Sequence, residues 1–348
     1  MTTEKPLINT ETVVQDILAS IEREREREII ARRYGLFDRK ETLEQIGELL
    51  GITRERVRQL EKSVMTRLRS TSSELPHIME IEATLLATIE TTGQTMRISA
   101  LGAALTAENT RTDQSRLAFI TELTPNISAI SEDDNFYQSA GNAKVHNESG
   151  IKAEVVKLVD AIAKAGKPLE TREITKAANM PNDIYTAALA STSKQLATLN
   201  GRWGLVKWPT VNPKNIRDKI YVILAENGKH MHFNEIAEAI KGSDFKRKDV
   251  TTQAIHNELI KDKRFVLIGR GIYALREWGY KKGTVADIIS EVLREAGEPL
   301  HRDEIVKRVL KSRFVKETTI LLNLQSKSQF KRVAKATYEL AEATPAEG

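Results

Sequence analysis

One plan, repeated four times after residue 75, limits what this chain can fold into more than any other feature of the sequence. Each copy opens with an apolar pattern of helical period that runs to a glycine. The glycines that end this pattern, spaced 73, 62 and 69 positions apart, are Gly93, Gly166, Gly228 and Gly297. Because the spacing is irregular, the copies predict separate small modules and not a solenoid of fixed period.

Each copy continues with a short strand-like stretch, two helices and strand-like segments that hold aromatic residues. The clearest hairpin is Arg264 to Tyr273 in the third copy, with Gly269 and Gly271 at its tip. Helix, strand, two helices and a hairpin is the order of elements in a winged helix. We therefore expect four winged-helix modules, with polar linkers over 139–150 and 278–283, at residues 76–140, 151–210, 211–278 and 283–340.

Before the repeats, a short turn joins two capped helices. Thr42-Leu-Glu-Gln45 is a capping box that opens the first helix, Gly51 ends it in a left-handed turn, and Thr53 caps the next. The residues expected on the buried side of the first helix are Leu43, Ile46, Leu49 and Leu50. This spacing is that of a DNA-binding helix-turn-helix. The predicted fold class is mainly α, with a helix-turn-helix domain over residues 1–75 followed by tandem winged-helix (α+β) domains.

The helix that follows Thr53 carries two different faces. The apolar arc, which must pack against the preceding helix, holds Val57, Leu60, Val64 and Leu68. The other arc presents Arg54, Glu55, Arg58, Gln59 and Lys62. Arginine can fork onto guanine N7 and O6, glutamine can pair with adenine, and glutamate can accept from cytosine N4. The second arc therefore predicts base reading in the major groove, and a merely solvated helix face is the alternative.

Three stretches carry a resemblance to a known family: Arg27-Glu-Ile-Ile-Ala-Arg-Arg-Tyr-Gly-Leu36, the segment from Thr42 to Glu61, and Arg67-Leu-Arg69. Together they closely resemble region 4 of sigma-70 family transcription initiation factors, over about a fifth of the chain. The resemblance implies recognition of a promoter minus-35 element in double-stranded DNA, with docking on the RNA polymerase core at the β flap.

Carried onto this sequence, the resemblance assigns specific roles. It gives base reading to Arg54, Glu55, Arg58 and Gln59, and backbone contacts to Thr42, Leu43 and Lys62. Nothing in the chain resembles the aromatic-rich segment with which complete sigma factors melt the minus-10 element. We therefore expect a protein that modulates transcription and does not open promoters alone.

The last copy carries a second resemblance. The stretch from Gly283 to Ile305 is similar to HARE-type winged helices and to the N-terminal domain of the polymerase delta subunit. The pattern is less specific than the first, because helix-Gly-Pro-Leu-helix sequences recur in many winged helices. Such modules bind DNA or proteins, and the sequence leaves both open.

Charge is distributed unevenly along the chain. The formal net charge is +5, but residues 213–335 alone hold 26 basic and 16 acidic side chains. An excess of this size can supply the phosphate contacts that carry most non-specific DNA affinity, while a solvated surface is the alternative. The candidates for DNA-backbone contacts that neither resemblance assigns are Arg56, Lys246, Arg247, Lys248, Arg264 and Arg270. Arg67 and Arg69 suit phosphates or a protein partner.

Several other classes of protein find no support in the sequence. No stretch approaches the roughly 20 apolar residues of a membrane span, and there is no cysteine. Phosphate loops, dinucleotide fingerprints and nucleophile elbows are missing, and His230-Met-His232 has no third ligand nearby in sequence. We expect a non-enzymatic protein with no cofactor, no metal and no small-molecule substrate, located in the bacterial cytoplasm in association with the nucleoid.

Three functional classes remain open at this point. The first is a sigma-like regulator that binds promoters, and the second is a delta-like factor on RNA polymerase whose winged helices contact protein. The third is the DNA-binding subunit of a restriction or repair system. Target sequence, oligomeric state and the sign of regulation are not readable from the chain.

Overall fold

The computed structural model describes residues 8–245, 247 and 249–341. It divides the chain into two compact units, Met1–Lys207 and Trp208–Gly348, here called unit 1 and unit 2. Both consist mainly of helices with small antiparallel sheets, which confirms the predicted fold class. Among the described residues, no helix combines the length and the apolar character needed to cross a membrane.

Unit 1 begins with the helix-turn-helix region and continues with two winged-helix modules. The four helices of the first region are α1 (Thr10–Ala19), α2 (Glu24–Tyr34), α3 (Leu43–Leu50) and α4 (Arg54–Ser70). The first module comprises α5 (Ile78–Thr91), β1 (Thr95–Arg97), α6 (Ile98–Leu105), α7 (Arg111–Leu123), β2 (Ile127–Ile130) and β3 (Ser139–Asn142). The second comprises α8 (Glu148–Ala165), β4 (Leu169–Glu170), α9 (Thr171–Ala177), α10 (Asp183–Thr192), β5 (Leu196–Leu199) and β6 (Arg202–Leu205).

Unit 2 holds the third and fourth modules. The third comprises α11 (Ile216–Asn227), β7 (Met231–His232), α12 (Phe233–Gly242), α13 (Thr252–Lys261), β8 (Phe265–Gly269) and β9 (Ile272–Leu275). The fourth comprises α14 (Val285–Ala296), β10 (Leu300–His301), α15 (Arg302–Ser312), α16 (Glu317–Ser326), β11 (Phe330–Ala334) and β12 (Thr337–Leu340). In all four sheets the last strand is central and pairs antiparallel with both of the others.

The expected linker over 139–150 was wrong. Ser139–Asn142 is the central strand of the first sheet, and all four of its residues are buried. Its small side chains suit a crowded position, since a Cβ on Gly141 would lie 2.5 Å from Ile151 Cδ1. The polar, glycine-bearing composition that suggested a linker therefore reflects tight packing.

One hydrophobic core joins the helix-turn-helix region to the first module. It contains Val14 and Ile17 of α1, Leu68 of α4 and Phe119 of α7, and continues to Ala140 of β3. Helices α2, α3 and α4 also share a small core of their own, made by Ile29, Ile46 and Val57. The first module therefore contributes to the core against which the helix-turn-helix region packs.

Candidate nucleic-acid interface

The sequence positions the start of α3 through its capping box. The backbone N–H of Gln45 donates to Thr42 Oγ1 at 3.2 Å, and the backbone N–H of Thr42 donates to Gln45 Oε1 at 2.9 Å. Thr42 is exposed, while the Leu43 side chain packs against the small core. The exposed start of α3 is the positive end of a helix, which favours an anion such as a phosphate.

The turn between α3 and α4 is tight. Gly51 ends α3 with φ at 61°, the left-handed conformation that glycine adopts most easily. A Cβ on Gly47 would lie only 2.7 Å from the carbonyl oxygen of Ile52, so the chain passes directly over this glycine. Thr53 caps α4 by accepting from the backbone N–H of Arg56 at 3.2 Å. The predicted caps and turn are confirmed.

The predicted apolar faces are confirmed with one exception. Val57, Val64 and Leu68 of α4 are buried, and Leu60 is partly buried against the small core. Leu49 of α3 was expected on the buried side but is 55% exposed. Only one narrow stripe of this eight-residue helix meets α4, and Ile46 occupies its centre.

The structure brings the four predicted base-reading residues together on one face of α4. Arg54, Glu55, Arg58 and Gln59 are all exposed, and Lys62 follows one turn later, also exposed. This arrangement follows from the helix itself, because residues three and four apart share a face. The face joins two guanidinium groups, a carboxylate and an amide, which together can address guanine, cytosine and adenine edges.

Three of these side chains are hydrogen-bonded to one another. The guanidinium of Arg58 donates to both carboxylate oxygens of Glu55, at 2.9 and 2.7 Å, and Gln59 Nε2 donates to the same carboxylate at 3.3 Å. The hydrogen bonds from Arg58 lower the pKa of Glu55 to about 2. Glu55 is therefore ionised at neutral pH and holds the Arg58 fork in one orientation.

Arginines behind the reading face serve the fold. Arg67 donates to buried Glu26 at 2.7 Å, which ties α4 to α2. Arg69 donates to the carboxylate of Glu122 at 2.9 Å and to its backbone carbonyl at 3.1 Å, which ties α4 to α7. Arg67 and Arg69 were expected to meet phosphates or a protein partner, but they are already paired within the chain. No local sequence pattern pointed to Glu122, which lies 53 positions from Arg69.

The backbone candidates of unit 2 lie in different surroundings. Arg270 is exposed at the tip of the β8–β9 hairpin, and Arg247 is exposed in the loop before α13. Arg264 is held by Asp262 at 2.8 Å and Asp218 at 3.2 Å, so a phosphate would have to compete with two carboxylates. Lys246 and Lys248 lie outside the described residues.

The two histidines of His230-Met-His232 have structural contacts. The His230 ring lies 4.3 Å from the ring of Phe314, and His232 Nδ1 accepts from the backbone N–H of Asn234 at the start of α12. Within the part of the chain that the structure describes, no three His, Asp or Glu side chains form a group that could hold a metal ion.

The exposed, polar face of α4 on a capped helix-turn-helix defines the class of this region as a DNA-binding domain. Comparison with known proteins agrees, because residues 23–70 match the sequence profile of the family Sigma-70, region 4. These residues therefore form a sigma-70 region 4 domain.

Curated relatives match the same part of the chain. RNA polymerase sigma factor SigA1 of Synechococcus elongatus is 52% identical over 46 residues, which are 13% of this chain and 12% of that protein. RNA polymerase sigma factor RpoD of Helicobacter pylori is 47% identical over 64 residues, 16% of this chain and 10% of that protein. RNA polymerase sigma factor SigA of a Nostoc species is 50% identical over 46 residues, which are 13% of this chain and 12% of that protein. The chain thus spans about a tenth of the length of the relatives it matches.

Proposed function

We propose that this protein is a non-enzymatic regulator of transcription that binds double-stranded DNA sequence-specifically and reads a promoter element of the minus-35 type through α4. The observation that carries the proposal is the exposed cluster of Arg54, Glu55, Arg58 and Gln59 on α4, the second helix of the helix-turn-helix in a sigma-70 region 4 domain. The relatives, all named as RNA polymerase sigma factors, support a role at promoters.

The proposed roles follow from the chemistry of each side chain. Arg54 and Arg58 take guanine edges, Gln59 takes adenine and Glu55 accepts from cytosine. The exposed Arg58–Glu55 ion pair must open for these last two contacts to form. The remaining proposed contacts, all to the DNA backbone, come from Thr42, Leu43, Arg56, Lys62, Lys246, Arg247, Lys248, Arg264 and Arg270. Among these, Arg264 contributes less than Arg270, because its two carboxylate partners must be displaced first.

The proposal extends to partners and layout. The region 4 domain, residues 1–75, associates with the RNA polymerase core through the β flap, and the protein acts at the nucleoid in the bacterial cytoplasm. The winged-helix domains, expected at residues 76–140, 151–210, 211–278 and 283–340, have two bounds moved by the structure, because β3 of the first runs to Asn142 and α8 of the second begins at Glu148. The last domain is of HARE type. The shared core of α1, α4 and α7 supports a region 4 domain that the first module holds in place.

Binding of two duplexes tests the reading role of α4. One duplex carries a TTGACA-like element and the other has it scrambled, and each is titrated with the full chain at two salt concentrations. Arg58→Ala is expected to remove the preference for the element, because a bidentate arginine–guanine contact is worth about 1–3 kcal/mol of discrimination. The variant should still bind both duplexes weakly and in a salt-sensitive way.

Arg56→Ala is the matched control, since Arg56 is another exposed arginine of α4 and lies outside the reading arc, which it touches only through a 3.4 Å hydrogen bond to Gln59 Oε1. If Arg56 contacts the DNA backbone, the variant should bind both duplexes equally more weakly. The slope of log affinity against log salt should fall by about 1. Equal binding of both duplexes by the unmodified chain, or an Arg58→Ala variant that keeps the preference, would refute base reading by α4.

A further inference from the structure

The first helices of the third and fourth modules have the same register. Both α11 and α14 are twelve residues long, begin at a side-chain cap and end at a left-handed glycine, Gly228 and Gly297 respectively. The fourth residue of α14 is Ile288, which is buried in the core of its module. The fourth residue of α11 is Lys219. The third module therefore has a lysine at the position where the fourth has a core isoleucine.

Lys219 is as buried as a core residue. Only 4% of it is exposed, and its neighbours Ile220 and Leu224 are fully buried. Burial lowers the pKa of the Lys219 ammonium group, and the nearby charge of Arg247 lowers it further. A buried cation costs free energy unless its donors are hydrogen-bonded. The hydrogen bond that Lys219 makes is therefore the feature that sets this position apart from an ordinary core position.

That hydrogen bond leads to the loop between α12 and α13. Lys219 Nζ donates to the backbone carbonyl of Arg247 at 2.7 Å, across 28 positions of sequence. Phe245, which is 5% exposed, anchors the start of the same loop. The charged residues of the loop are Asp244, Lys246, Arg247, Lys248 and Asp249. Because the net charge of this set is only +1, the orientation of the cations matters more than their number.

Arg247 has an unusual backbone conformation. Its φ is 55°, in the left-handed region that residues with large side chains rarely adopt. Such a conformation persists only where the surrounding structure holds it. The carbonyl of Arg247 is held by the buried Lys219, while Arg247 itself is exposed. The strained residue therefore has its main chain fixed on the inside and its guanidinium on the outside.

We propose that Lys219 is a positioning residue for DNA binding, which holds the Arg247 main chain so that the Arg247 guanidinium meets a backbone phosphate. The inference rests on the proposed function, which gives Arg247 a DNA-backbone contact, and it adds the buried group that fixes this contact. A cation held in place before binding loses less conformational entropy when it meets its phosphate. Lys219 acts through Arg247 and does not touch DNA.

The test titrates the full chain with a 30-base-pair duplex that lacks a minus-35-like element, so that base reading by α4 does not enter. Arg247→Ala is expected to lower the affinity about threefold or more and to reduce the slope of log affinity against log salt by about 1. Lys219→Met keeps the length of the buried side chain and removes its donor. It should lower the affinity nearly as much as Arg247→Ala does.

The double variant separates positioning from a general loss of structure. Lys219→Met/Arg247→Ala should bind no more weakly than Arg247→Ala alone, because Lys219 acts through Arg247. Lys219→Arg keeps donor groups at this position and should bind like the unmodified chain. The matched control is Lys229→Met, which removes one exposed lysine just past the far end of α11. It should leave the affinity nearly unchanged.

The outcomes distinguish this inference from the proposed function. An Arg247→Ala variant with unchanged affinity would remove the proposed backbone contact, and the role of Lys219 with it. If Arg247→Ala weakens binding but Lys219→Met does not, the contact stands and Lys219 does not position it. Losses that add up in the double variant would likewise overturn the inference, because Lys219 would then support the fold of the module independently of Arg247.

Discussion

At the scale of single residues, the exposed face of α4 contains an ion pair between two of the residues proposed to read bases, Glu55 and Arg58. The Glu55 carboxylate accepts both donors of the Arg58 fork, and these hydrogen bonds keep its pKa near 2. The group therefore does not titrate between pH 5 and 8. Any change in DNA binding over that range must come from other residues.

Glu61 gives a prediction for the pH dependence of stability. Burial between α4 and its neighbours raises the pKa of Glu61, partly offset by Arg33, whose Nε lies 3.3 Å from the carboxylate. A carboxyl with a raised pKa in the folded state contributes stability at low pH that is lost as pH rises through that pKa. The unfolding free energy of the unmodified chain minus that of Glu61→Gln should therefore decrease from pH 4 to pH 7.

Urea denaturation across this pH range measures the difference. Glu44→Gln, an exposed substitution on α3, controls for the loss of one negative charge. A difference that instead grows with pH would mean that the ion pair with Arg33 outweighs the cost of burial.

At the scale of elements, the α3–α4 turn depends on two glycines for different reasons. Gly51 has a left-handed φ but nothing within 4 Å of an added Cβ, whereas Gly47 lies under the carbonyl of Ile52. Gly51→Ala should cost about 1–2 kcal/mol, the strain of the left-handed conformation alone. In an ordinary helix interior, Gly→Ala stabilises by about 1 kcal/mol, but here Gly47→Ala should destabilise and also weaken binding to the element by moving α4.

Urea denaturation and titration with the element-bearing duplex check both variants. The two glycines serve as controls for each other, because they lie four positions apart in the same element. A Gly47→Ala variant that is more stable than the unmodified chain and binds DNA normally would show that the turn has room to open.

Local features of this region were predictable because they depend on neighbours in sequence. The capping box of Thr42 and Gln45, the left-handed Gly51 and the Thr53 cap are all decided within four residues. The face of α4 is equally local, because the helical period alone places Arg54 and Arg58 together. Leu49 was misplaced because the periodicity of a short helix does not show how wide its buried stripe is.

At the scale of the whole molecule, prediction failed where the decisive contacts are distant in sequence. Arg116 reaches the carbonyl of Leu36 across 80 positions, and Arg69 reaches Glu122 across 53. No local pattern shows that α7 completes the core under the region 4 domain, or that Ser139–Asn142 is a central strand. The repeated pattern was visible in the sequence, but the unequal burial of the third helices was not, since α7 buries seven of its thirteen residues and α13 buries two of its ten.

That difference gives each unit its own role in the account. In unit 1, α4 packs on a core shared with the first module. Unit 2 carries the basic excess of residues 213–335 and the helices α13 and α16, each of which buries only two residues. We therefore expect sequence preference to depend on α4 and the basic excess of unit 2 to add salt-sensitive affinity.

Selection of bound duplexes from a random pool, with the full chain and with Arg58→Ala in parallel, tests the central claim most directly. The account predicts that the unmodified chain enriches one short element of minus-35 type, and that Arg58→Ala loses the preference at a guanine within it while still retaining DNA. A pool that stays random with the unmodified chain, or the same enriched element with Arg58→Ala, would contradict sequence reading by α4.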